Sequence, residues 1–176
     1  MSSIQVARIA GLDVSFTLFS LVSLLALWLI LGGAGFFLLQ LPLADSLLVG
    51  FAATVLHVLS AFLHQLGHAW AARRSGYPMI GVRFYFLLAA SRYPHDEPEL
   101  PARIHIRRAL GGPLWSFATA LVGGILAFFL AGRVNDLTWY LALFFFLDNL
   151  IVFAIGALLP LGFDDGSTLL RWWGKQ

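Results

Sequence analysis

Four apolar runs, roughly residues 16–41, 47–72, 106–131 and 137–159, constrain this chain more than any other feature. A bilayer core of ~30 Å takes ~20 helical residues to cross. Backbone polar groups in hydrocarbon must be satisfied within the segment, so runs of this length read as transmembrane helices. The 176 residues suit a single domain, 1–176, and 60% hydrophobic against 11% charged residues lies outside the soluble range. The expected fold class is therefore an α-helical integral membrane protein with about four transmembrane helices. Arg8 before the first run and the glycines at 32–35 would also suit a signal peptide. An h-region of about 7–15 residues is shorter than this run, however, and the retained helix is the better reading.

Charge placement gives an orientation. Ten of the eleven Lys and Arg residues fall before the first run, around the second connection or after the fourth run, and Arg133 stands alone on the other side. The tendency of basic residues to stay inside then puts both termini and the 73–107 connection in the cytoplasm, as in a multi-pass protein of the cell membrane. A net charge of +2 gives no case for nucleic acid as a partner. Within the connection, "GVRFYFLLA" is aromatic and branched and reads as a strand or hairpin at the membrane surface, and "YPHDEPELP" reads as a loop. Trp172 and Trp173 beside Arg171 suit an interfacial anchor.

The second run contains "HQLGH", which places His64 and His68 four apart with Gln65 after the first. Residues at that spacing share one helix face, so both imidazoles can meet one ion. Ionisable groups inside a membrane are rare and point to function. There is no cysteine, so any metal falls to His, Asp or Glu. Three acids lie in or near the last run, namely Asp148, Asp164 and Asp165. The histidines stand ~14 and ~8 Å before Arg73 by helical rise. Asp165 stands six residues before Arg171, a similar shallow depth. His57, seven residues before His64, is too far along the axis to be a ligand and reads as a polar neighbour of the pocket.

These residues carry a resemblance to the site-2 protease family of intramembrane zinc metalloproteases. "HQLGH" resembles the family's HExxH, and "LLPLGFDDG" resembles its NxLPxxPLDGG, with the spacing from Pro160 to Asp165 kept and Gly166 following. "GLDVSF" at 11–16 is similar to the family's strand before the first helix, "GVRFYFLL" to its later strands, and "GGPLWS" at 111–116 to its AGPxxN element. The resemblance implies one Zn2+ on His64, His68 and Asp165, Asn149 as a substrate or oxyanion contact, and the transmembrane helix of another membrane protein as the substrate. An extended substrate segment pairing with residues 82–88 would fit the same scheme.

The chain departs from the pattern at Ala157, Ser116 and Ser167, and most seriously at Gln65. The family has a glutamate there, the base that takes a proton from zinc-bound water. An amide cannot accept that proton, and such assistance is worth ~10²–10⁴ in rate. The chain as it stands is expected to be almost inactive. Retention of both histidines, Asp165 and Asn149 favours a true protease silenced by one Glu→Gln change over a natural pseudoprotease that binds helices without cutting. A haem-binding bundle or an ion transporter would also use intramembrane histidines, but neither accounts for the Pro160-to-Asp165 spacing together with HxxxH.

Overall fold

The structure is a computed structural model and describes residues 3–133 and 136–175. The chain runs β1 (Ser3–Ile9), β2 (Leu12–Thr17), α1 (Leu18–Phe37), α2 (Leu43–Arg74), β3 (Gly81–Tyr85), β4 (Leu88–Arg92), α3 (Ala102–Leu130) and α4 (Asp136–Leu147). A π-helical segment (Asp148–Ile155), a 3-10 turn (Gly156–Leu158) and a short α5 (Asp165–Trp172) follow. Four helical stretches among the described residues are long and apolar enough to span a membrane: Leu18–Phe37, Leu43–Arg74, Ala102–Leu130 and Leu137–Leu158. The chain is an α-helical membrane protein carrying a small sheet.

Leucine, isoleucine, valine and phenylalanine side chains cover the outside of the spans, as at Val22, Ile30, Val122 and Phe128. Between the helices lie Ala, Ser, Gly and His instead. This follows from the solvent: lipid offers no hydrophobic drive between helices, so small residues are selected for close backbone approach. At the α1–α2 crossing, a Cβ on Gly50 would stand 2.7 Å from the Gly32 Cα and 2.9 Å from the Trp28 carbonyl oxygen. At the α2–α3 crossing, Gly67 faces Gly111 and the Trp115 side chain, where an added Cβ would meet the Trp115 Cβ at 2.6 Å.

The sheet has strand order β1-β2-β3-β4, with β2 and β3 parallel and the outer pairs antiparallel. It joins the hairpin expected from "GVRFYFLLA" to the strand expected at 11–16, which is β2, and it is larger than these by β1 from residues 3–9. Residues 16 and 17 accordingly end β2 rather than begin the first span. Thr17 joins sheet to helix, since its Oγ1 accepts from the Ser20 N–H at 3.2 Å as an N-cap and donates to the Phe84 carbonyl at 3.1 Å. Residues 82–88 differ from expectation in a second way. Strand β3 is paired on both sides, and the segment includes the β3–β4 turn at Phe86 and Leu87. The hairpin's free edge is therefore β4, and β3 has no edge to offer an incoming strand.

Two further boundaries moved. Arg103, Arg107 and Arg108 lie inside α3, which begins right after Pro101, where the missing N–H costs nothing at a helix start. The fourth span, expected as one helix, widens to a π segment at Asp148, where Asp148 and Asn149 both turn inward toward α2.

The crossings give a paired test. Gly50→Ala should lower stability by ~1–3 kcal/mol through overpacking. Gly33→Ala, where an added Cβ meets nothing within 4 Å, should be neutral or slightly stabilising. Denaturant titration in micelles measures both, and equal effects would contradict the packing described.

Candidate metal centre

α2 presents His64 and His68 one turn apart, with their Nε2 atoms 2.9 Å from each other. Asp165 reaches them from the first turn of α5. That turn is set by Asp164, whose carboxylate N-caps α5 by accepting from the Ser167 N–H at 3.0 Å and also accepts from the Leu161 N–H at 3.0 Å. Gly166 lets the turn lie against the end of the fourth span, because a Cβ there would collide with the Leu158 carbonyl. The Asp165 Oδ2 consequently stands 3.2 Å from the His64 Nε2 and 3.4 Å from the His68 Nε2. Burial pushes the Asp165 carboxyl up, and the His64 and His68 imidazoles beside it more than reverse this and hold it below its ordinary value. The group that faces the imidazoles is thus a carboxylate.

The donor set fits a zinc ion. Three ligand atoms around a tetrahedral ion with bonds of ~2.0 Å stand ~3.3 Å apart, and the separations here are 2.9, 3.2 and 3.4 Å. The outward ring nitrogens are also anchored. His68 Nδ1–H donates to the Arg108 carbonyl at 2.8 Å, which leaves its Nε2 lone pair free, and His64 Nδ1 pairs with Ser116 Oγ at 3.0 Å. Such outer partners fix tautomer and ring direction in metal sites. Gly112 completes the cradle from α3, since a Cβ there would stand 2.5 Å from the His64 Nε2 and closer still to that of His68.

The three acids of the last run separate cleanly. Asp165 joins the histidines, Asp164 caps α5, and Asp148 pairs with His57 at 3.0 Å. Burial pushes the Asp164 carboxyl up, and its bonds from Ser167 and Leu161 outweigh this and hold it low.

Gln65 is buried beside the centre and is held by β4 at both ends of its amide. Its Nε2–H donates to the Ala89 carbonyl at 2.7 Å, and Ser91 Oγ donates to its Oε1 at 2.7 Å. Asn149 is fully enclosed, with its amide nitrogen donating to Ser60 Oγ at 2.8 Å and to the Phe145 carbonyl at 2.9 Å. Its Oδ1 has no partner among the described residues. Ser91 and Arg108 were not singled out from sequence, because what marks them is proximity across the fold, and Gly112 stood only within the "GGPLWS" element. Ser116 stood out only as a departure from a motif, and its hydroxyl serves the His64 ring.

The centre opens into a cavity of about 950 Å³ bounded by α2, β4, α3 and the 156–168 stretch, with His64, Gln65, His68, Ala89 and Asp165 on its wall. At its rim Arg108 holds Glu97 through two bonds, at 2.9 and 2.5 Å, and lies 4.0 Å over the Tyr93 ring. The Arg108 guanidinium keeps the Glu97 carboxyl below its ordinary value. This bidentate pair ties the 93–101 loop to α3.

Comparison with protein-family models gives no match, and comparison with curated proteins gives none either. Among solved structures the chain is similar to the Site-2 Protease from Methanocaldococcus jannaschii, with a TM-score of 0.65 and 20% sequence identity over 97% of this chain and 70% of that one. At this identity the likeness concerns the fold: the chain is a multi-pass integral membrane protein folded like a site-2 protease.

Proposed function

We propose that this chain is an intramembrane zinc metalloprotease domain of site-2 type, directed at peptide bonds in or near transmembrane segments, with its hydrolytic step limited by Gln65. The observation that carries the reading is the convergence of His64, His68 and Asp165, with both imidazoles anchored by a second partner, on the wall of a cavity of about 950 Å³. Bound zinc would supply a water of pKa ~7 and polarise a substrate carbonyl. The two imidazoles and the Asp165 carboxylate would hold the ion, and Ser116 and the Arg108 carbonyl keep the rings aimed. A transmembrane helix hides its carbonyls in its own hydrogen bonds and must be unwound before it can be cut. β4, as the hairpin's free edge, is the strand positioned to hold an extended segment. The side chain at 65 is where a base would take a proton, and a carboxamide there can only hydrogen-bond. Both termini on the cytoplasmic side would put the cavity at the cytoplasmic face.

A second reading has one observation in its favour. The Gln65 amide finds an acceptor for its N–H and a donor for its carbonyl, an arrangement suited to an amide and not to a carboxylate. That favours a natural relative that binds transmembrane segments without cutting them.

Two experiments test the proposal. Purified protein should carry about one zinc per chain, and His68→Ala should lose most of it, as should Gly112→Ala, whose new methyl would occupy the ligands' space. Zinc retained at one per chain in both variants would mean the ion is elsewhere. Gln65→Glu should raise cleavage of a membrane-spanning substrate by at least ~10² with zinc content unchanged, and a chelator should abolish the gain. An inert Gln65→Glu protein with zinc bound would leave the binding-only reading standing.

A further inference from the structure

His57 and Asp148 lie outside the metal centre, and both are all but sealed from solvent, at 6% and 7% exposure. The His57 ring is held on both sides. Its Nδ1 stands 3.0 Å from Asp148 Oδ1, and its Nε2 stands 2.9 Å from the Leu87 carbonyl oxygen at the β3–β4 turn. A carbonyl can only accept, so Nε2 must carry a hydrogen. A carboxylate oxygen also only accepts, so a second hydrogen must lie between Nδ1 and Asp148. Either the ring is an imidazolium beside a carboxylate, or it is neutral beside a carboxylic acid. Both forms hold one proton more than a neutral histidine beside a carboxylate.

The turn that His57 grips needs holding. Phe86, the residue before Leu87, has φ 47, a left-handed conformation costly for a bulky side chain. Such backbone persists where its surroundings over-determine it. Gln65, eight residues along α2, grips the same hairpin at Ala89 and Ser91, so α2 holds it at two points. Strand β4 forms one wall of the cavity.

We infer that His57 and Asp148 are positioning residues that set the hairpin wall of the cavity, through a hydrogen bond to the Leu87 carbonyl that exists only while the pair retains its shared proton. Without that proton the ring has a single N–H. An anionic carboxylate binds it more strongly than a neutral carbonyl does, so the carboxylate takes it and Leu87 is released. The bonded arrangement binds more protons than the released one, so it is favoured at low pH and lost as pH rises. Among the described residues, Asp148 is the titratable group found against the imidazole. The hairpin presents the Leu87 carbonyl, and the π segment adds the Phe153 ring at 5.4 Å. The inference needs neither metal nor cleavage, and it stands or falls apart from the proposed activity.

Amide hydrogen exchange on the full chain in lipid nanodiscs tests it, with residues 84–90 followed across pH and referenced to the β1–β2 hairpin to remove intrinsic base catalysis. One charge-assisted bond is worth ~1.5 kcal/mol or more, so exchange of the segment should rise about tenfold from low to high pH. Asp148→Asn should keep it slow throughout, because the new amide donates to Nδ1 and the neutral ring still donates to Leu87. His57→Phe should make it fast throughout, with α2 and α3 still protected. A merely structural pair would instead make Asp148→Asn fast at every pH, and that result overturns the inference. So does a flat profile in the unmodified chain, a measurement that needs no variant to fold.

Discussion

Close approach of backbones between α2 and α3 is the constraint on which the rest depends. Gly67 meets Gly111 with no side chain between them, and Gly112 passes directly over the two imidazole Nε2 atoms. Larger residues would force the helices apart. His68 would then lose the Arg108 carbonyl, His64 would lose Ser116, and the two rings would no longer be aimed. Since lipid surrounds the bundle, no hydrophobic drive could restore the contact. The glycines are as much a part of the centre as the residues that face it.

Several polar groups inside the bundle follow a second rule, in which they are tied to a partner on another element. Ser116 reaches His64, Ser60 receives the Asn149 amide, and Asp148 meets His57. A membrane interior makes unpaired groups costly. The unpartnered Asp148 Oδ2 and Asn149 Oδ1, side by side in the π segment, are exceptions to this, as are the Nε atoms of Arg83 and Arg108 among the described residues.

What could be read from sequence was local. Span lengths, the helical spacing of His64 and His68, and the strand character of residues 81–85 depend on period and composition within one segment. Pairings across the fold did not show. His57 and Asp148 are 91 residues apart, and although motif spacing marked Asp165 as the partner of His64 and His68, nothing local paired Asp148 with His57 until the π segment turned it toward α2. The Gln65 contacts with β4 were equally hidden, because they need the hairpin to lie along α2. Reading 82–88 as an edge failed for the same reason: β2, which covers β3, comes from before the first span.

The β2–β3 pairing also orders events during synthesis. Ser15 bonds the Val82 carbonyl across 67 residues, and Asp165 meets His64 across 101. Two spans must enter the bilayer before β2 has a strand to join, and two more before the histidines have a carboxylate. Non-local contacts of this kind form late and slowly. A nascent chain with its first two helices inserted already exposes the HxxxH face, but nothing yet brings an acid to it. Assembly of the centre thereby reports that all four spans have been threaded correctly.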